Sequence, residues 1–452
     1  MMSVKNDVNL LNYCRNKVAA WPYLLISIMA GLAAFGCYTS MYAFRKAFTA
    51  GTFDGHEYLG IDYKVWLVIA QVMGYTFSKF YGIRFISESS GENRGRSILK
   101  LIGISWIALL GFAMVPAPWN IAFLFINGFP LGMIWGLVFS YLEGRRNTEF
   151  MGAVMSVSLI FASGFIKTVA RTLMDLLPVN EYWMPFCTGL LFVIPLLLFV
   201  AMLEMVPPPT EEDQRLRTKR LPMNGSQRKK FLLNFLPGVI LTIIIYVVLT
   251  VIRDLRDNFE VEIWHDLGVT DNHIYAKIDG FIALVVLTMV GFLILVRNNL
   301  KAFVIIHWMI IGGCALTGFA TLLFDAHYIS PVTWMCLVGM GLYMAYIPYN
   351  AIFFERMIAT FHYKSNIGFI MYVSDAIGYL GSVSILLFKE FGDAEISWGH
   401  FFRQSAVVAA VVGVSCSMVS LLYFHQKSVK NKKKESNITL PVLALEVEGG
   451  TK

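Results

Sequence analysis

The chain has 452 residues, 57% of them hydrophobic and only 15% charged, with a formal net charge of +7. That balance describes a polypeptide solvated mostly by lipid and leaves no stretch for a soluble domain. The excess Lys and Arg fall in loops and in the tail, which speaks for membrane orientation and anionic headgroups and gives no reason to invoke nucleic acid.

A hydrocarbon core about 30 Å thick takes roughly 20 apolar residues per helix. On that ruler the sequence predicts spans at 19–48, 62–85, 98–118, 121–142, 150–175, 183–205, 231–256, 275–296, 302–324, 331–355, 365–389 and 400–425. The first is too long for a cleaved signal peptide, and the apolar pattern simply continues after it. The many short alternating segments of a β-barrel do not occur. Basic residues recur in every second loop. Lys5, Arg15 and Lys17 precede the first span, Arg94, Arg96 and Lys100 follow the second, and Arg145 and Arg146 follow the fourth. Arg215, Arg217, Lys219, Arg220 and Arg228–Lys230 fill the centre; Arg297, Lys301, Arg356, Lys364 and the lysines from Lys427 to Lys434 come later. The alternate loops hold mainly acids, among them Asp54, Glu57, Asp175, Glu181, Glu260, Glu262, Asp266, Glu390, Asp393 and Glu395. Because basic loops stay cytoplasmic, both termini are expected inside.

The break at Val206-Pro-Pro-Pro divides the spans six and six. The expected fold class is therefore an all-α membrane protein of twelve transmembrane helices in two six-helix pseudo-repeats. Its expected parts are an N-terminal half at 1–205, a cytoplasmic linker at 206–230, a C-terminal half at 231–425 and a disordered tail at 426–452. Five of the six cysteines lie in apolar spans and none forms a C-x-x-C pair, so neither a disulfide framework nor a metal site is expected. No phosphate-cradling Gly-rich loop or zinc spacing occurs. His265, Asp271 and His273 form the one catalytic-looking group, and their spacing matches no mechanism. The expectation is a protein that is not an enzyme and holds no cofactor.

Charges inside membrane spans are costly, so each is a functional candidate. Arg45 and Lys46 end the first span, Lys79 interrupts the second, and Lys167 and Arg171 share one face of the fifth. Arg253, Asp254, Arg256 and Asp257 end the seventh, Lys277 and Asp279 open the eighth, and Asp375 lies in the eleventh. The bland readings are snorkelling to headgroups for the basic residues near span ends and a pair one turn apart for Arg171 and Asp175. For Asp375, a proton-binding role and a structural ion pair both remain open. Bases outnumber acids in helices one, two, five and seven. If they converge on a central cavity, its potential favours an anion, and Arg offers the forked donor array suited to phosphate or carboxylate. Tyr343, Tyr346 and Tyr349 share one drifting face of the tenth span, as core packing or as a cavity wall.

The six-plus-six layout resembles the major facilitator superfamily. Tyr42-Ala-Phe-Arg45-Lys46-Ala-Phe48, Gly74-Tyr-Thr-Phe-Ser78-Lys79-Phe80 and Gly132-Met133-x-Trp135, followed by Glu143, Glu149 and Gly152, resemble segments of the organophosphate:phosphate antiporter family. That resemblance implies a phosphate-binding role for Arg45 and for a seventh-helix arginine, Arg253 by position or else Arg256, and places Lys79 in the same cavity. The family's fifth-helix histidine has no counterpart here, and Lys167 occupies the comparable region. Tyr349–Arg356 and Met371–Tyr379 look like phrases from a further bacterial branch of the superfamily. The expected function is secondary transport of a small organic anion by alternating access, phosphorylated metabolites being the leading subclass, with proton symport, phosphate antiport and uniport all open. A non-transporting membrane sensor or partner protein on the same fold is the alternative. The expected substrate-binding residues are Arg45, Lys46, Lys79, Lys167, Arg253, Arg256, Tyr346 and Asn350; the expected coupling or ion-pair residues are Asp254, Asp257, Asp279, Glu355 and Asp375. The expected setting is a monomer in lipid, in a bacterial inner membrane.

Overall fold

The computed structural model describes residues 13–88, 93–216, 225–361, 367–392 and 396–448. Of the loop residues used for orientation, Lys5, Arg217, Lys219, Arg220, Lys364, Asp393 and Glu395 lie outside these ranges. The helices in chain order are α1 (Tyr23–Arg45), α2 (Tyr63–Glu88), α3 (Arg94–Met114), α4 (Ile121–Leu142), α5 (Thr148–Leu176) and α6 (Met184–Glu204). The second half comprises α7 (Gly225–Asp266), α8 (Ile274–Ile294), α9 (Asn299–Asp325), α10 (Pro331–Pro348), α11 (Ile367–Gly392) and α12 (Trp398–Glu448). Ten of these contain a stretch long and apolar enough to cross a membrane, and α2 and α11, of 26 residues each, stand in the second and eleventh expected positions. The result is an integral multi-pass membrane architecture. Leu190, Leu191, Ile194 and Leu198 of α6 and Val408 and Val411 of α12 turn outward, where lipid rather than water meets them.

Two boundaries differ from the sequence reading, each for a local reason. The seventh span was expected to end at 256, with Glu260 and Glu262 in a loop; instead α7 runs on to Asp266. It bends at Phe259, whose φ of −117° and ψ of 22° are non-helical. The cause sits one residue earlier, where Asn258 turns its side-chain amide back onto the Asp254 carbonyl at 2.8 Å, and side chains that enter the helix ladder bend it. At the other end of the chain, α12 runs past His425 as far as Glu448, and neither Gly nor Pro interrupts it before Pro441.

Within each half, neighbouring helices pack closely; across the seam between halves, α5 lies along α8 and α2 along α11. The α5–α8 crossing is tight because of Gly164. A Cβ there would meet the Tyr275 carbonyl oxygen at 2.3 Å, so only glycine allows this approach. Two helices are broken where they face the seam. α4 carries Pro130 and is interrupted at Gly132 and Met133. α10 ends at Pro348 and passes into a π-helical turn over Tyr349–Phe353 before a final helix, Phe354–Thr360. Prolines remove a backbone donor, and π turns inside helices mark functional sites often enough to direct attention to Trp135 and Asn350.

Candidate functional site

The seam has three levels. At the end of the bundle that carries the α1–α2, α5–α6 and α7–α8 connections, basic side chains of the first half meet acids of the second. Lys46 Nζ lies 3.0 Å from Asp257 Oδ2 and donates to Asn258 Oδ1 at 2.5 Å. Lys167 Nζ lies 2.9 Å from Glu260 Oε2 and donates to Ser163 Oγ at 2.6 Å, and Ser163 in turn bonds Asp257. Lys64 joins Glu262 and donates to the Thr49 carbonyl at 3.0 Å. Arg256 pairs within the second half, with Asp279 at 2.7 Å and Glu260 at 3.4 Å. Lys167, Arg256, Glu260 and Asp279 are fully buried, so each needs its partner: an uncompensated buried charge costs several kcal/mol. Arg171 does not reach Asp175 directly; it donates to Asn272 Oδ1 at 3.2 Å, and Asn272 donates to Asp175 at 2.6 Å.

At mid-depth lies a small cavity. Tyr38, Tyr75, Lys79, Trp135 and Leu159 of the first half line it, together with Arg253, Tyr346, Asn350, Asp375 and Tyr379 of the second. Lys79 pairs with Asp375 across the seam at 3.2 Å, and Tyr246 donates to the same carboxylate. Arg253 is held by Asp254 at 2.6 Å and donates to the Tyr346 hydroxyl. Its guanidinium lies 4.7 Å from the Tyr346 ring centre. Tyr75 and Tyr379 meet across the seam at 5.1 Å, edge to face.

Arg45 sits behind that aromatic pair, its guanidinium 3.9 Å over the Tyr75 ring. It is 5% exposed and its Nε has no hydrogen-bond partner. Among the described residues it has no acidic partner. Its backbone, by contrast, is fixed: Gln71 Nε2 donates to the Arg45 carbonyl at 2.6 Å, and Asn127 donates to the Phe44 carbonyl at 2.8 Å while accepting from Gln71 at 2.8 Å. Those amides satisfy the open carbonyls where α1 ends. Sequence reading did not single out Gln71 or Asn127, although a carboxamide within an apolar span was the available signal.

At the opposite end of the bundle Arg356 crosses the seam to Glu149 at 2.8 Å and also donates to Asn299. Glu355 lies beside it on Phe354–Thr360, half-buried and away from the cavity.

Of the expected substrate-binding residues, the structure thus brings Lys79, Arg253, Tyr346 and Asn350 to the cavity and sets Arg45 directly behind its wall. Lys46, Lys167 and Arg256 stand elsewhere, at the charged end of the seam. Asp254 and Asp375 belong to the cavity level, and Asp257 and Asp279 to the charged end. Tyr343 is buried near Arg256, and Tyr349 packs against Tyr246 and Phe353. The described residues contain no group of His, Cys, Asp and Glu able to hold a metal ion.

This arrangement, two helical bundles facing each other across a seam with a central cavity, is a fold shared with solved membrane transporters. Solved structures agree over nearly the whole chain. A D-xylose-proton symporter superposes with a TM-score of 0.58 at 14% identity, covering 88% of this chain and 97% of that one. The nucleoside transporter NupG gives 0.58 at 13%, covering 88% and 100%. A POT family transporter in complex with a thioalcohol-conjugated peptide gives 0.56 at 13%, covering 90% and 96%. No curated protein matches in sequence. The chain belongs to the family of unknown function DUF5690, which matches residues 47–427.

Proposed function

We propose that this protein is a secondary transporter of a small organic anion, working by alternating access with both termini and the linker on the cytoplasmic side. Arg45 is the observation that carries the reading: a buried guanidinium, fixed by its backbone, with no acid to balance it. A charge of that kind inside a membrane protein calls for a counter-anion, and the cavity beside it is lined equally by the two halves that alternating access moves. On this sidedness the Lys46, Lys64 and Lys167 pairs close the outer end, and the state seen is closed to the outside. The organic nature of the substrate is supported by the aromatic wall of Tyr38, Tyr75, Trp135, Tyr346 and Tyr379, which offers ring faces and hydroxyls.

The test uses purified protein and a panel of carboxylates, sulfonates and phosphates. A binder raises thermal stability according to its occupancy, and the binder found is then followed in proteoliposome counterflow. Expected is binding that Arg45→Gln removes and Arg45→Lys weakens, because a point charge cannot replace the planar fork. Binding unchanged in Arg45→Gln would reject the site, and ligand stabilisation without flux would favour a sensor.

A further inference from the structure

The charges of the seam can be paired off, and the pairing leaves a remainder. From the outer end to the cavity, the buried bases of the seam helices are Arg45, Lys46, Lys64, Lys79, Lys167, Arg253, Arg256 and Lys389. The acids facing them are Asp254, Asp257, Glu260, Glu262, Asp279, Asp375 and Glu390, and at the outer rim the half-buried Asp62, whose carboxylate accepts from the Lys64 backbone amide. Asp254 takes Arg253, Asp257 takes Lys46, Glu260 takes Lys167, Glu262 takes Lys64, Asp279 takes Arg256, Asp375 takes Lys79 and Glu390 takes Lys389. Among the described residues Arg45 alone of these bases has no acid. Resting on the anion reading above, we infer that the site takes organic anions with a single negative charge on a flat, ring-bearing body, and discriminates against dianions such as phosphate monoesters.

The physical argument is neutrality in a site screened from water. One negative charge brought to Arg45 balances the cavity level, where Lys79 and Arg253 already have Asp375 and Asp254. A second has no base to meet unless Lys79 leaves Asp375 or Arg253 leaves Asp254, and either exchange strands a carboxylate at low dielectric. The body of the substrate meets the rings of Tyr75 and Tyr379, which already stand between Arg45 and the cavity, with Tyr38 and Trp135 beside them. The cavity is small and walled by these rings, so the body is one ring rather than several.

The experiment compares matched probes at pH 7.5 by thermal stability of the purified full-length protein. Benzoate and methyl phenyl phosphate carry one charge, phthalate and phenyl phosphate carry two, and benzyl alcohol carries none. The monoanions are expected to bind at least about tenfold more tightly than the dianions, a difference modest beside the cost of a stranded buried charge. Asp375→Asn raises the excess to two positive charges and is expected to move the preference toward phthalate and phenyl phosphate by about tenfold. Asp254→Asn provides the same change from another position should the first variant fail to fold. Dianions binding as well as monoanions to the unaltered protein would overturn this inference and leave the anion reading standing. Stabilisation by benzyl alcohol equal to that by benzoate, or by none of the charged probes, would overturn the anion reading itself.

Discussion

The charged end of the seam and the cavity below it use the same residue types to opposite ends. Above, Lys46, Lys64 and Lys167 of one half find Asp257, Glu262 and Glu260 of the other, and donate further hydrogen bonds to Asn258, Thr49 and Ser163 respectively. Below, Arg45 is equally buried and fixed but has only ring faces for company. A charge whose partner lies within the protein holds two elements together; a charge without one is poised for something that arrives. Residue type does not distinguish the two cases, and partner count does.

The sharpest way to break the contrast is to remove a partner at the matched end. Glu260→Ala leaves Lys167 with only Asp257, at 3.5 Å and shared with Lys46, and leaves Arg256 with Asp279 alone; the expected cost is about 3–5 kcal/mol, read as a large fall in the thermal midpoint of the purified protein. Arg45→Gln, which removes a charge that had no partner, is expected to leave that midpoint unchanged or raised. Equal losses in the two variants would show that Arg45 is as structural as Lys167.

A steric change tests the closed end without touching its charges. Gly164→Val puts a side chain into the Tyr275 carbonyl, against backbone that cannot yield. Overpacking of this kind costs about 1–3 kcal/mol, and its expected form here is separation of α5 from α8. A cysteine placed at Ser163 should then react with a membrane-impermeant thiol reagent from outside, whereas in the parent background it should remain protected.

A smaller effect is expected where a pair is partly open to solvent. Lys64 is buried but Glu262, 16% exposed, reaches the rim, and a double-mutant cycle with methionine at both positions should give a coupling of about 1 kcal/mol. A coupling as large as that between Lys167 and Glu260 would mean that the whole rim is dry.

The smallest effect lies outside the membrane, at Asp213 on the short helix Glu211–Leu216 of the linker. Burial pushes its carboxyl up, but hydrogen bonds from the Arg146 and Thr210 backbone amides, the Thr210 hydroxyl and the Tyr23 hydroxyl outweigh that and hold it below the usual carboxylate range. A folded-state pKa below the unfolded one stabilises above the ordinary Asp pKa, and the contribution is lost as pH falls through the folded value. Proteolysis at Arg215 should therefore increase as pH is lowered below about 4, and Asp213→Asn should show the raised cleavage already at neutral pH and lose that dependence.

Much of the architecture was legible because a bilayer imposes a length and an apolar content on each span. The candidate charges were legible for the same reason: each was an exception in an apolar run. Their division into two groups was not. Arg45 and Lys46 are neighbours in sequence, yet successive residues on a helix point about 100° apart, and one turns to the cavity while the other turns to Asp257. Lys167 looked like a substrate residue because its nearest acids in sequence are distant, and Glu260 reaches it only because α7 continues past Phe259. The unpaired state of Arg45 is a property of the whole seam, and no local motif encodes it.

If the protein is the carrier proposed above, with its termini inside, the odd charge also has a consequence for its electrical behaviour. An empty site with one unbalanced positive charge feels the membrane voltage, whereas the same site holding a monoanion is neutral and does not. A charge crossing the full field gains about 2.3 kcal/mol per 100 mV, and a site that changes its exposure from one face to the other gains a fraction of that. With the cell interior negative, voltage would draw the empty carrier toward the cytoplasm-facing state, with the Lys46, Lys64 and Lys167 pairs closed, while leaving the loaded step indifferent to the field. Return of the empty carrier, rather than passage of the substrate, would then be the voltage-dependent half of the cycle.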